Sequence, residues 1–324
     1  MSEKPKLKLA LYWAASCGGC EIAVVEINEK LLDLDAVADI LFWPVAVDAK
    51  YDDVRAMPDH HIDVCLFNGA IRTSEQEEIA HLLRCKSKVM VAFGSCACEG
   101  CIPGLANFYS RDGVFERAYL TTPTTDNPEK ILPQTVTKVP EGEIDLPEFY
   151  NTVLTLDDVI PVEYYVPGCP PQPHQIWAVI EAIVTGNLPE PPAVVGAGNK
   201  TVCDVCRRTK GEKKVSKFYR PFEIEPDPDI CLLEQGIVCM GPATRNGCAE
   251  DRALCVEVNM PCRGCYGPPP GVTDQGAKLV ASLASVVDSN DPEEIERILS
   301  DILDPAGTFY RFSLSKSLLR RAKV

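Results

Sequence analysis

Cysteine dominates the chemistry that this sequence could perform. The chain has 16 cysteines among 324 residues, and many lie in short motifs beside Gly or Pro. Disulfides account for such numbers mainly in small secreted domains. This chain is long, and the apolar run Leu9–Ala15 near its N-terminus is at the short limit for a signal peptide and is interpreted as a strand. Metal ligation is therefore the better explanation.

Four of the cysteines follow predicted strands. Cys17 and Cys20 lie in SCGGC after the first strand, and Cys96 and Cys169 follow two later strands in FGSCAC and VPGCPP. The loops at the carboxyl ends of parallel strands line one crevice, so these thiols should meet there. Four thiolates suit a cubane iron–sulfur cluster. A thioredoxin-like redox pair and a four-cysteine zinc site are the alternatives at this point.

Eight further cysteines in the second half of the chain would supply two more four-coordinate centres. Zinc sites more often show two CxxC pairs close together, whereas here Cys206 and Cys262 are far apart with single cysteines between them. This pattern favours clusters wrapped by loops, and three centres in one chain would form an electron relay. The eight are Cys203, Cys206, Cys231, Cys239, Cys248, Cys255, Cys262 and Cys265.

Four cysteines remain. Cys65 and Cys85 are predicted to be plain buried thiols in or beside the core. Cys98 and Cys101 flank Cys96, and either could replace it as a ligand. Cys96 is preferred because it directly follows the Gly94–Ser95 turn.

Two carboxylates lie beside these cysteines. Glu21 follows Cys20, and Glu99 lies in the segment GSCACEGC. Each could relay protons, but an exposed loop carboxylate is the preferred interpretation for both.

The segments between the motifs predict an α/β fold with a parallel sheet. A capping-box pattern of Ser74 with Glu77 opens one helix, which runs to about Arg84. The other predicted helices are Glu21–Leu32 and Pro173–Thr185, the latter ended by Gly186. The predicted strands are Leu7–Ala14, Ile40–Val45, Val64–Ile71, Lys88–Gly94 and Glu163–Val166.

The remaining segments divide the chain into domains 1–188 and 189–324. Thr121–Ile160 is predicted to be an irregular insertion, and Leu188–Gly198 a linker. Cys203–Pro270 has too few aliphatic residues for an ordinary core, so metal should supply part of its folding energy. Pro292–Leu303 is predicted to be an amphipathic helix.

Charge and hydropathy exclude two classes of partner. The net charge of −15 disfavours nucleic acid. No apolar run approaches the roughly 18 residues of a membrane span. A cytoplasmic protein is expected.

Several motifs in this order resemble the small subunit of [NiFe]-hydrogenases, in the cytoplasmic group that includes the methyl-viologen-reducing and coenzyme-F-reducing enzymes. They are SCGGC, GSC followed by Ile102–Leu105, GCPP, Gly241–Thr244 and PCRGC. The resemblance implies a flavodoxin-like domain without flavin, followed by an irregular iron–sulfur domain. The first domain is also similar to the corresponding subunit of respiratory complex I, which lacks such an eight-cysteine domain. A complex I-like redox subunit is therefore the alternative function.

The resemblance also implies three [4Fe–4S] clusters. Two departures from the periplasmic members, Cys203 in place of a histidine and Cys255 as an additional ligand, add thiolate charge and would lower the reduction potentials. The implied ligands are Cys17, Cys20, Cys96 and Cys169 for the proximal cluster, Cys248, Cys255, Cys262 and Cys265 for the medial cluster, and Cys203, Cys206, Cys231 and Cys239 for the distal cluster.

The implied function is electron transfer from H2 oxidation to a low-potential acceptor. The nickel–iron site would belong to a separate large subunit, so no catalytic residue is expected in this chain. The electron-accepting partner would be a heterodisulfide-reductase-like subunit or a [2Fe–2S] adaptor protein.

Overall fold

The computed structural model describes residues 6–211 and 214–320. Six strands form a parallel sheet in the order β10-β9-β5-β3-β1-β2, while β4 pairs with β8 and β6 with β7, both antiparallel. The strands are β1 Leu7–Trp13, β2 Ala38–Phe42, β3 Ile62–Asn68, β4 Ile71–Thr73, β5 Ser87–Phe93, β6 Val136–Val139, β7 Gly142–Asp145, β8 Phe149–Leu154, β9 Tyr164–Val166 and β10 Ala193–Val194.

Short helices fill the rest of the fold. Within the described ranges, none is long and apolar enough to cross a membrane. The α-helices are α1 Gly19–Val25, α2 Lys30–Val37, α3 Tyr51–Ala56, α4 Ser74–Lys86, α5 Ser95–Glu99, α6 Cys101–Gly104, α7 Arg111–Phe115, α8 Pro173–Thr185, α9 Val202–Val205, α10 Leu254–Glu257, α11 Gln275–Ala284, α12 Pro292–Ser300 and α13 Pro305–Phe309.

The central strands are buried on both faces, as a parallel sheet requires. Leu9 and Leu11 of β1 point to the face covered by α1 and α8. Ala10 and Tyr12 point to the opposite face, which is covered by α4. The predicted α/β class is confirmed.

Local details differ from the predictions. The helix predicted over Glu21–Leu32 is divided into α1 and α2, because Asn28 between them has a left-handed backbone with φ of 56°. The cap of α4 is Thr73 and not Ser74: the Thr73 hydroxyl accepts from the Gln76 N–H at 3.4 Å. Helix α8 has the predicted bounds, with Gly186 left-handed after it.

Two segments predicted to be irregular contribute strands. The insertion Thr121–Ile160 contains the β6–β7 hairpin and β8. The expected linker Leu188–Gly198 contains β10, which pairs with β9 at the sheet edge. Strands as short as β10 leave no pattern in the sequence that would reveal them. The domain boundary at residue 188 stays a prediction.

The second half of the chain has an apolar core of its own, contrary to expectation. Phe218, Leu232 and Ile237 from the Cys-rich segment pack with Leu279 of α11 and Ile298 of α12. The expectation was wrong because the aliphatic partners lie beyond the Cys-rich segment itself. Helix α12 ends at Ser300, earlier than predicted.

The segment after α13 returns to the first half of the chain. The Phe312 carbonyl accepts a hydrogen bond from the Cys101 N–H at 3.1 Å. Lys316 Nζ lies 2.6 Å from an Asp157 carboxylate oxygen. The two halves are thus tied together beside the cysteines of the sheet.

Candidate metal centres

The first group of thiols lies at the carboxyl ends of β1, β5 and β9. Cys17 and Cys20 follow β1, Cys96 lies in α5 after β5, and Cys169 follows β9. Gly94, with φ of 82°, forms the turn between β5 and α5, and a Cβ on it would overlap the Cys20 sulfur. The sheet topology therefore brings together the four cysteines predicted from the first half.

A fifth cysteine joins this group. Cys101 Sγ lies 3.6 Å from Cys169 Sγ and also makes a hydrogen-bond contact with Cys96. Cys98 points away, because its thiol donates to the Ala92 carbonyl at 3.3 Å within the opposite core layer. Of the two cysteines flanking Cys96, only Cys101 lies at the site. The sequence feature that could have identified Cys101 is Gly100, which lies directly before it and forms a turn between Cys96 and Cys101.

Two thiols of this proximal group, those of Cys20 and Cys169, have raised pKa values. Burial, followed by the neighbouring Cys169, raises the pKa of Cys20 well above its usual range. The hydrogen bond with Cys101 does the same to the pKa of Cys169. Without a cation these thiols keep their protons, so a bound metal would have to stabilise the thiolates. Cys17 and Cys169 are exposed, which opens the site to the surface.

A second group lines a cavity of about 270 Å³ in the second half of the chain. Gly241 also lines this cavity, and a Cβ on it would lie 3.1 Å from Cys203 Sγ. Burial and the thiols around it raise the pKa of Cys203 to about 12, and burial raises that of Cys239 to about 11. The thiols of this distal group are those of Cys203, Cys206, Cys231 and Cys239.

The third group lies between the other two. The pKa of Cys265 is raised to about 12, mainly by burial. Cys255 and Cys248 are electrostatic neighbours of this thiol. Cys262 is buried and has Cys265 and Cys239 as neighbours. Cys248, Cys255 and Cys265 are thus neighbours, and Cys262 lies between Cys265 and Cys239; these four cysteines are called the medial group below.

Direct contacts connect the three groups in order. The Cys169 backbone N–H donates to Cys265 Sγ, which joins the proximal group to the medial one. The Ser95 hydroxyl donates to the Cys265 carbonyl at the same junction. The Cys262 N–H donates to Cys239 Sγ at 3.3 Å, which joins the medial group to the distal one.

The size of the distal cavity fits a cluster that four thiols surround. A zinc site needs four ligand atoms within about 2.3 Å of one point. A cubane is larger, and thiols set around a cavity such as the distal one suit its size.

The two carboxylates are not exposed loop residues, contrary to the preferred interpretation. Glu21 is only 5% exposed and accepts hydrogen bonds from Trp43 Nε1 and from Asn68 Nδ2, the latter at 3.3 Å. Burial raises the pKa of Glu21. Glu99 ends α5 and lines a cavity of about 280 Å³, and burial raises its pKa to about 7.

The two remaining cysteines differ from each other. Cys65 is fully buried in β3, and burial raises its pKa to about 12. Cys85 is exposed near the end of α4, so the prediction of a buried thiol was wrong there. Cys85 lies on the solvent side of a helix whose other face meets the sheet.

Comparison with known proteins identifies the family. Residues 17–183 match the family described as NADH ubiquinone oxidoreductase, 20 Kd subunit. The iron-sulfur subunit of the F420-non-reducing hydrogenase of Archaeoglobus profundus is 42% identical over 97% of this chain and 98% of its own length. The chain belongs to the family of these F420-non-reducing hydrogenase iron–sulfur subunits, of the [NiFe]-hydrogenase small-subunit type.

A second relative agrees with this membership, and a solved structure shows the same fold. A subunit of the F420-non-reducing hydrogenase of Methanothermobacter marburgensis is 38% identical over 97% of this chain and 96% of its own length. A chain of the H2-activated Dm. baculatum [NiFeSe]-hydrogenase is similar in fold, with a TM-score of 0.50 and 19% identity over 83% of this chain and 96% of that chain. The predicted family is confirmed.

Membership of this family defines the general role of the chain. It is an electron-transfer small subunit of a hydrogenase. Such a subunit implies iron–sulfur clusters and a large-subunit partner.

Proposed function

We propose that this chain carries electrons from H2 oxidation on the large subunit, through three [4Fe–4S] clusters, to a low-potential acceptor. The observation that supports this function best is the order of the three thiol groups. Cys169 contacts Cys265, and Cys262 contacts Cys239, so no group is isolated from its neighbour. A relay needs such an uninterrupted sequence of sites.

The proposed ligand sets follow the three groups. When bound, a [4Fe–4S] cluster supplies one-electron redox chemistry. The proximal ligands would be Cys17, Cys20, Cys96 and Cys169, the medial ligands Cys248, Cys255, Cys262 and Cys265, and the distal ligands Cys203, Cys206, Cys231 and Cys239.

Backbone N–H groups of the chain would tune these sites. The Gly19 N–H donates to Cys17 Sγ at 3.4 Å, and the Cys262 N–H donates to Cys239 Sγ. The Gly241 N–H also lowers the pKa of Cys239 against the larger effect of burial. Donors to sulfur favour the thiolate and stabilise added negative charge when an electron arrives.

The large subunit would cover the open side of the proximal group. Cys17 and Cys169 are exposed there, and Ile22, close to Cys20 in sequence, is 60% exposed. Trp13 and Ile102 are also exposed apolar residues next to this group. An apolar rim around exposed thiols is typical of a surface that a partner buries.

Electrons would leave through the distal group. Cys203 and Cys255 contribute thiolate charge to the distal and medial groups, which lowers reduction potential. A low-potential acceptor in the cytoplasm follows, either a heterodisulfide-reductase-like subunit or a [2Fe–2S] adaptor protein.

A complex I-like redox subunit is the second candidate. The family description of residues 17–183 favours it, because it names an NADH ubiquinone oxidoreductase subunit. That match ends before the second half, whereas the relatives named as hydrogenase subunits match along 97% of the chain. The hydrogenase function is therefore preferred.

Metal analysis and a hydrogen-uptake assay test the proposal. Anaerobically purified chain should contain about twelve irons and about twelve labile sulfides, with little zinc. It should reduce dyes with H2 only when the large subunit is bound. Stoichiometric zinc without labile sulfide would exclude the clusters, and H2-dependent dye reduction by the pure chain would exclude the division of labour.

A further inference from the structure

The proximal group contains one thiol more than a cubane needs. Cys101 is the additional one, and it is fully buried, with 0% of its surface exposed. Its sulfur lies 3.6 Å from Cys169 Sγ and contacts Cys96. A thiol that touches two proposed ligands is within reach of the same iron atoms.

The backbone holds Cys101 in this position at a cost. Its φ of 47° is left-handed, a conformation that glycine adopts more readily than any residue with a side chain. The Cys101 N–H is fixed by the Phe312 carbonyl at 3.1 Å. The surrounding structure therefore keeps a strained residue whose side chain faces the proximal group.

Closeness in sequence to Cys96 does not explain why the Cys101 side chain faces the proximal group, as the short helix α5 before Cys101 shows. Cys98 is closer to Cys96 along the chain, yet its thiol donates to the Ala92 carbonyl on the opposite side of the sheet. Cys98 is also buried, so it is a matched control for the loss of a buried thiol.

We propose that Cys101 is an exchangeable fifth ligand of the proximal cluster, able to bind the iron otherwise held by Cys96. The inference rests on the proposed function. In the exchange, the iron–sulfur bond to Cys96 breaks, one to Cys101 forms, and the Cys101 thiol proton moves to the Cys96 sulfur. No electron is gained or lost.

Iron content and electron paramagnetic resonance of the reduced protein test this exchange. Cys96→Ala should keep about twelve irons, with an altered proximal signal, because Cys101 replaces the lost ligand. Cys101→Ala should also keep about twelve. The double variant Cys96→Ala/Cys101→Ala should fall to about eight and lose the proximal signal, while the medial and distal signals persist.

The matched control is the double variant Cys96→Ala/Cys98→Ala, which should behave as Cys96→Ala alone. A fall to about eight irons in Cys96→Ala would overturn the inference and leave the three-cluster proposal intact. A wild-type chain with no labile sulfide would overturn both.

A second measurement does not depend on the folding of Cys96→Ala. Iron release from the loaded protein into an excess of an iron chelator should be about tenfold faster at the proximal site of Cys101→Ala than in the wild type. Cys98→Ala should release iron at the wild-type rate. Equal rates in Cys101→Ala and the wild type would also overturn the inference.

Discussion

The proximal group and the distal group bring their thiols together by different kinds of structure. The proximal thiols are held at the ends of β1, β5 and β9, whose sheet has a buried layer on each face. The distal thiols lie in turns and the four-residue α9, over one smaller core. Regular structure can position ligands without metal, whereas loops depend on the metal for part of their order.

Removal of iron should separate the two regions most strongly. After anaerobic chelation, amide protons in residues 203–265 should exchange at least about a hundredfold faster, because their turns lose the cross-links that hold them. Amides of β3 and β5 should keep their protection. Hydrogen-exchange mass spectrometry makes the comparison, and equal loss in both regions would contradict it.

A mutation that creates a cavity in the sheet core should destabilise the first half of the chain, the region that iron removal affects less. Phe67 in β3 is 0% exposed, and Phe67→Ala should lower the free energy of unfolding by about 3–5 kcal/mol. Phe222→Ala, at a position 77% exposed, is the control and should change it by less than about 0.5 kcal/mol. Denaturant unfolding of the iron-loaded chain would measure both. A small effect of Phe67→Ala would show that metal, rather than the sheet, holds the first half together.

Replacement of one thiolate should distinguish the two groups electronically. Cys203→His removes negative charge from the distal group, so the distal midpoint potential should rise by at least about 60 mV, about tenfold in the electron-transfer equilibrium. The proximal potential should not change. Redox titration followed by electron paramagnetic resonance tests this, with Cys65→Ser as a control for the loss of a distant cysteine. An unchanged distal potential would remove Cys203 from the proposed ligand set.

The smallest expected effect lies at the end of the sheet opposite to the thiols. Burial opposes ionisation of Asp63, but the Lys88 ammonium and the Lys8 N–H, at 2.6 and 2.8 Å, hold its pKa below the usual value. A depressed pKa stabilises the folded state above the unfolded value of about 4, and this stabilisation is lost as the pH falls through the folded value.

Asp63→Asn should therefore destabilise the chain at pH 7 by about 1 kcal/mol or less, and this difference should shrink under acidic conditions. Thermal unfolding of both proteins at several pH values measures it. A difference that grew on acidification would mean that the Asp63 pKa is not depressed. Asp48→Asn is the control, because Asp48 pairs with Lys50 on the exposed surface away from the strands.

Much of the sheet and the grouping of the thiols could be read from the sequence. The strands of the sheet core have long apolar runs, and Gly186 after α8 is a clear stop signal. Strand β10 escaped prediction because two residues leave no periodicity. The core of the second half escaped because Leu232 and Leu279 meet only after the chain folds back.

The site itself was only partly predictable for the same reason. Cys98 and Cys101 look equivalent in GSCACEGC, and only the left-handed turn at Gly100 and Cys101 sends their thiols in different directions. The burial of Glu21 depends on Trp43 and Asn68, which come from two other segments of the chain. Contacts of this kind have no local signature.

The return of the chain to Cys101 has a consequence for biosynthesis. Phe312, which fixes the Cys101 backbone, is translated long after it, and Asn107 likewise receives its Ser315 contact across 208 positions of sequence. At about 5–20 residues per second, the ribosome needs about ten seconds or more to supply these partners. Strand β9 and Cys169 are translated within that interval, so the sheet can bring the other proximal thiols together before Phe312 is made. Cofactor delivery to this end of the sheet would therefore meet Cys101 free of its Phe312 contact early and fixed by that contact later.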